Sequence, residues 1–197
     1  NKLYDNLCGA KVIKILNLLL LKNKFKDHYF SCDLLWGDAR KTILQIPNDI
    51  YFDLIYLDGF SPQKCPEIWS YEFLTNVKKK LKPGGYLITY CSAAAIRNSL
   101  RSCGLEIFNI KPSSVKNNQW SNGTFAVLDK NKTFISNNFI TKLSSMENEH
   151  LATKAATPYR DPDGDALSSE ILMRRKKEQS LSKLLDTKLW RKKWQLT

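Results

Sequence analysis

Histidine is scarce in this chain: of 197 residues, only His28 and His150 carry an imidazole. The five cysteines, Cys8, Cys32, Cys65, Cys91 and Cys103, lie 24, 33, 26 and 12 residues apart, and no C-x-x-C pair occurs. That argues against a zinc site or a disulfide framework and leaves free thiols in a reducing compartment. Long apolar runs are missing as well. The most apolar stretch, Val12 to Leu21, is ten residues long and interrupted by Lys14 and Asn17, too short to cross a bilayer. Lys22, Lys24 and Lys26 follow it where a signal peptide would place small cleavage-site residues. The expectation is a cytoplasmic protein with no metal and no membrane. Acidic residues are in deficit too, 19 against 31 Lys and Arg, for a net charge of +12. Such a balance favours a polyanionic partner. Lysine outnumbers arginine 24 to 7, a bias that an A+T-rich genome produces by itself, so the charge alone decides little.

What is present is a globular pattern. Hydrophobic residues make up 43% of the chain, enough for a core, and the length corresponds to about one domain. Residues 11–21 read as a buried helix, Ser31 to Leu35 as a short strand, and Arg40 to Ile46 as a helix stopped by Pro47. Phe52 to Leu57 is almost continuously apolar, the pattern of a strand buried on both faces. Pro66 suits a helix start, Trp69, Phe73, Val77 and Leu81 form a core stripe, and Pro83-Gly84-Gly85 ends that helix. Tyr86 to Tyr90 is the next strand. Ser92 is a candidate N-cap for a helix with Ile96, Leu100 and Cys103 inside and Gly104 as its stop. Leu105 to Ile110 and Thr124 to Leu128 read as an antiparallel pair. The alternation specifies an α/β domain over residues 1–129 with a mostly parallel sheet. Residues 130–167 hold scattered apolar positions and the turn-rich Pro158 to Gly164. Residues 168–185 look like a helix with Ile171, Leu172, Leu181, Leu184 and Leu185 on its apolar side. From Arg174 onward nine basic and two acidic residues make 130–197 a basic C-terminal extension.

Ligands of parallel α/β sheets bind beyond the carboxyl ends of the strands. Asp38 and Asp58 each follow a predicted strand, where a carboxylate can accept hydrogen bonds from a ligand amino group or serve a local turn. The motifs Leu35-Trp36-Gly37-Asp38-Ala39-Arg40 and Phe52-Asp53-Leu54-Ile55-Tyr56-Leu57-Asp58-Gly59-Phe60-Ser61-Pro62 resemble the middle of a class I S-adenosyl-L-methionine-dependent methyltransferase. With Pro66 and Trp69, Lys82-Pro83-Gly84-Gly85 and Thr89-Tyr90-Cys91-Ser92-Ala93, residues 34–128 look like the MnmC-type domain. Ala155 to Pro162 and Trp190-Arg191-Lys192-Lys193-Trp194 are similar to stand-alone members of that family. The resemblance implies a Rossmann-like class I sheet, mostly parallel with an antiparallel last strand. It implies S-adenosyl-L-methionine as cofactor and tRNA as partner, with methylation of a 5-aminomethyl group on a wobble uridine. A separate enzyme would supply the aminomethyl precursor. By position, Asp38 and Ala39 would hold the adenine. Asp58 would lie between cofactor and acceptor amine, as catalytic and cofactor-binding residue, and Phe60 and Trp69 would contact the uracil.

The departures carry expectations of their own. No glycine-rich cofactor turn and no ribose-binding acid are found before residue 30, so the fold is expected to be partial, with one unpaired sheet edge. Family members are arginine-rich where Ser113 to Gly123 offers only Lys116 and Trp120. No G-x-G-x-x-G occurs, so neither FAD nor the oxidation chemistry of the fused relatives is assigned. Two other readings compete. An aminopropyltransferase of the spermidine synthase type would need a second carboxylate soon after Asp58, and none precedes Glu67. A non-catalytic RNA-binding module would use Trp190 and Trp194 among their cations for stacking, unless these tryptophans dock back on the domain.

Overall fold

A computed structural model describes residues 9–111, 122–128 and 139–196. The arginine-poor loop, with Lys116 and Trp120, lies outside them, as does Cys8. The chain divides into two compact units, residues 1–42 and 43–197.

In the first unit, helix α1 spans Ala10–Lys22, and Asn23 ends it in the left-handed conformation that its small polar side chain tolerates. Strands β1 (Lys24–Lys26) and β2 (Ser31–Asp33) form an antiparallel hairpin. The single-turn helix α2 (Ala39–Thr42) follows. Two expectations are corrected here. The segment read as Ser31 to Leu35 belongs to the hairpin rather than to the main sheet, since Asp27 turns the chain back by accepting from Tyr29 N and Phe30 N. Helix α1 is apolar yet largely exposed. Leu19 is buried, whereas Leu16, Leu20 and Leu21 face solvent, because a three-residue hairpin covers only one stripe of a 13-residue helix.

The second unit holds a five-stranded sheet in the order β3 (Phe52–Tyr56), β4 (Leu81–Thr89), β6 (Gly123–Val127), β5 (Glu106–Ile110), β7 (Ile140–Lys142). β3 and β4 are parallel, and the three remaining pairings are antiparallel. The mixed α/β fold is as expected, with β6 inserted antiparallel between β4 and β5 and β7 as an additional edge. Gly123 permits the β4–β6 approach: a Cβ there would meet the Thr89 carbonyl at 2.4 Å. Period-two alternation puts Tyr86, Ile88, Phe108, Ile110, Phe125 and Val127 together on one face.

Helix α3 (Tyr71–Lys79) and the 3₁₀ turn Pro66–Trp69 before it carry Trp69, Phe73 and Val77 of the predicted stripe, while Leu81 opens β4 instead, and all four are buried. Ser70 caps α3 by accepting from Phe73 N. The helix ends before Pro83-Gly84-Gly85, which lies inside the irregular first half of β4. Lys80, at the C-terminal end of the helix, is buried and donates to the Ile46 and Pro47 carbonyls. Helix α4 (Ala94–Ser102) buries Ile96 and Leu100 and ends at Gly104, whose φ of +91° favours glycine. Its N-cap is Ala93 rather than Ser92, and no side chain caps it.

β3 departs most from its sequence pattern. Among the described residues it pairs only with β4, at one edge of the sheet, and it is not buried on both faces: Phe52, Leu54 and Tyr56, which share one face by the alternation of a strand, are exposed.

Residues 139–196 fold back onto the sheet and its helices. Helix α5 (Ser145–His150) is closed by a Ser144–Glu147 capping box. Helix α6 (Ser168–Leu181) buries Ile171, and Leu181, Leu184 and Leu185, assigned to its apolar side, are exposed because the helix ends at Leu181. Helix α7 (Thr187–Lys193) buries Trp190, which stacks on His150 with centroids 4.0 Å apart and donates from Nε1 to the Met146 carbonyl. Trp194 is half-buried and donates to Glu149. Trp190 is thus docked and unavailable for base stacking.

Candidate active site

The carboxyl ends of the parallel pair β3 and β4 lie side by side in the second unit, and the segments leaving them bring several predicted residues together. Leu57 extends the β3 register by donating to the Ile88 carbonyl, which places Asp58 immediately beyond the last paired residue. The Asp58 carboxylate is exposed and has no hydrogen-bond or ion-pair partner among the described residues. Its electrostatic neighbour is Tyr90, just past the end of β4. Burial, reinforced by Cys91 and then by the Asp58 charge, raises the Tyr90 hydroxyl above its usual pKa.

The backbone after Asp58 is clamped. Tyr90 donates its hydroxyl to the Gly59 carbonyl at 2.7 Å, and Trp69 Nε1 donates to the Phe60 carbonyl at 2.6 Å. The two rings meet edge to face at 6.2 Å. A Cβ at Gly59 would lie 1.8 Å from Ile68 Cδ1, so a larger residue there would require Ile68 to move. Lys64 N and Cys65 N both donate to the Ser61 carbonyl and close the loop as a turn. The backbone is held at two successive carbonyls, and Asp58 and the 77%-exposed Phe60 project outside it.

Trp69 therefore changes role. At 0% exposure it offers no face to a ligand, and it acts on the site by fixing the Phe60 carbonyl. Sequence reasoning assigned no role to Tyr90, although its position directly after an apolar strand marks the end where ligands bind. Behind Tyr90, Cys91 is buried, which raises its thiol pKa. Its carbonyl accepts from Thr124 Oγ1, which in turn accepts from buried Arg97 Nε.

Asp38 and Ala39 belong to the first unit. Asp38 starts α2, accepting from Arg40 N at 2.9 Å and from the Arg40 guanidinium, whose Nη2 is 2.7 Å from Oδ2. Hydrogen bonding to Arg40 holds the carboxyl below its usual pKa, so it is ionised at neutral pH. Half-buried Ala39 is the first residue of α2. No group of three or more potential metal ligands occurs among the described residues, and no helix there is long and apolar enough to cross a membrane.

Comparison with known proteins converges on one family. A family model described as S-adenosyl-L-methionine-dependent methyltransferase, Methyltransf_30, matches residues 10–122. The "Uncharacterized protein MJ0670" of Methanocaldococcus jannaschii is 30% identical over 139 residues, 70% of this chain and 36% of that protein. The tRNA 5-methylaminomethyl-2-thiouridine biosynthesis bifunctional protein MnmC of Aeromonas salmonicida is 33% identical over 81 residues, 40% of this chain and 12% of that protein. Its Ralstonia nicotianae namesake is 36% identical over 74 residues, 38% of this chain and 11% of that protein. The crystal structure of MNMC2 from Aquifex aeolicus superposes with a TM-score of 0.70 at 27% identity, over 84% of this chain and 50% of that one. The chain thus spans between about a tenth and a half of these relatives.

Proposed function

The chain belongs to the S-adenosyl-L-methionine-dependent methyltransferases, and we propose that it is of the MnmC type and methylates an aminomethyl group on the wobble uridine of tRNA, a reading supported by its similarity to the MnmC proteins. The observation that carries this reading is the carboxylate of Asp58, exposed and without a partner among the described residues, on a backbone clamped by Tyr90 and Trp69.

S-adenosyl-L-methionine carries an adenine amino group, which the ionised Asp38 carboxylate suits by charge. Asp38 would hold the adenine beside Ala39. Because its oxygens already accept from Arg40, an incoming amino group would share the carboxylate with that guanidinium. The cofactor supplies the methyl group.

The chain's own contribution is to the acceptor. A primary amine attacks only when neutral and aligned, and it becomes cationic as the new bond forms. The Asp58 carboxylate accepts its N–H bonds, fixes its direction and stabilises the developing positive charge on nitrogen. The same carboxylate, or water beside it, takes the proton released afterwards. Phe60 offers an exposed ring on which an unstacked uracil can lie. The diamine reading is less supported, since no carboxylate follows Asp58 before Glu67, which accepts a hydrogen bond from the Ser168 hydroxyl.

The test is methyl transfer from labelled S-adenosyl-L-methionine to tRNA bearing 5-aminomethyluridine, with Asp58→Ala alongside. The expected outcome is transfer by the wild type and a loss of about a hundredfold or more in kcat for the variant. Measurable cofactor binding without transfer to this RNA would overturn the acceptor assignment.

A further inference from the structure

The loop that carries Asp58 and Phe60 is also held from outside the sheet, by a residue about a hundred positions away in the chain. Gln63 Nε2 donates to the Tyr159 hydroxyl at 3.4 Å. Tyr159 is only 3% exposed, and a buried phenol needs a polar partner. Among the described residues that partner comes from the site loop. Burial also pushes the hydroxyl above its usual pKa, so it stays neutral and accepts from Gln63 across the physiological range.

Three contacts fix the tyrosine in turn. Its carbonyl accepts from Tyr71 N at 2.9 Å, where α3 begins, and its strand-like bridge with Ser70 runs parallel. The Arg175 guanidinium, from α6, lies 4.5 Å from the ring centroid. Arg175 is itself oriented by donating to the Thr157 and Ala155 carbonyls at 2.8 and 3.0 Å. Two residues beyond Tyr159, Asp161 N donates to Glu72 Oε2 at 2.7 Å and Asp161 Oδ1 accepts from Ala166 N. The segment is thus tied to the start of α3 at both backbone and side-chain level, and it presents one hydroxyl to the loop.

We propose that the C-terminal extension is part of the acceptor site, with Tyr159 as a positioning residue that holds the 58–63 loop through Gln63, and Arg175 as the residue that sets the Tyr159 ring. The proposal rests on the reading that Asp58 and Phe60 face the acceptor. Tyr90 and Trp69 clamp the loop at Gly59 and Phe60, and the Gln63–Tyr159 bond clamps it three residues further on. With the second clamp gone, the turn at Ser61 to Cys65 pivots about the Phe60 carbonyl that Trp69 holds, and the Phe60 side chain loses its fixed direction. Placement errors near 1 Å at a reacting site cost up to about a hundredfold in rate.

Tyr159→Phe keeps the ring under Arg175 and removes only the hydroxyl, so it separates positioning from packing. Amide hydrogen exchange at Lys64 and Cys65, both bonded to the Ser61 carbonyl, reads the loop without any reaction. The expected result is exchange about fivefold faster in Tyr159→Phe and in Gln63→Ala, the equivalent of one net hydrogen bond. The double variant should be no faster than either alone. In the transfer assay, kcat should fall by a similar factor while the KM for S-adenosyl-L-methionine stays put. Arg175→Met should reproduce the defect, and Arg175→Lys should restore part of it. Wild-type exchange at Lys64 and Cys65 in Tyr159→Phe would overturn the proposal, as would additive effects in the double variant. If no variant and no wild type transfers methyl to the RNA, the exchange result still decides the clamp, so the two readings fail separately.

Discussion

Arg97 concentrates more polar bonds than any other side chain described above. At 2% exposure it donates to Thr124 Oγ1, Glu147 Oε1, Asn109 Oδ1 and the Gly123 carbonyl, at 2.8 to 3.0 Å. Burial opposes ionisation of Glu147, yet bonds from Arg97, Ser144 and Asn109 outweigh it and leave the carboxyl below its usual pKa. Replacing one partner strands a buried charge, so Arg97→Met should cost about 3–5 kcal/mol in urea unfolding. Adding Glu147→Leu should recover most of that loss, and a single variant costing under about 1 kcal/mol would contradict it. This centre was not legible in the sequence. Arg97 reads as a polar position on an amphipathic helix, and its carboxylate partner lies 50 residues away. Asp58 was legible because it ends an apolar run. Trp69 was legible as a stripe residue, while its bond to the Phe60 carbonyl depends on a loop shape that no periodicity encodes.

At the scale of elements, helices with a cap or a glycine stop emerge where the pattern puts them, as α3 and α4 do. Burial is less legible, because an apolar pattern records what a segment can bury and not what covers it. β3 and α1 show this, each apolar and each largely exposed. The tail shows the converse. Among its cations sits an anchor, Trp190, whose docking the sequence left as one of two readings and which lies at 1% exposure between His150 and the Met146 carbonyl. Trp190→Ala should destabilise the protein by about 3–5 kcal/mol, the range for deleting a buried large aromatic. Trypsin should then cut at Arg191 and Lys192 well before the body unfolds. Unchanged cleavage there would mean that α7 is held by something else, with the Lys193 and Trp194 bonds to Glu149 next in line.

For the molecule as a whole, stability is tied to pH through His150. Burial, with the charges of Arg97 and Arg191 and against that of Glu147, lowers its pKa from 6.5 to about 4. The unfolded chain therefore takes up a proton between those values that the folded one refuses, and stability falls as pH drops from about 6.5 to about 4. Thermal melts should show that decline, and His150→Phe, which keeps a ring against Trp190, should flatten it. An identical decline in the variant would assign the effect to other groups. The bond from Gln63 to Tyr159 and the bridge from Ser70 to Tyr159 span nearly half the chain in sequence. Contacts of such separation form late and slowly, since the loop they close is long. At roughly 5–20 residues per second of synthesis, the Asp58 loop leaves the ribosome about 5 to 20 seconds before the tyrosine that secures it. On the proposed reading, a nascent chain carries Asp58 early and acquires the bond that holds its loop only after Tyr159 has been made.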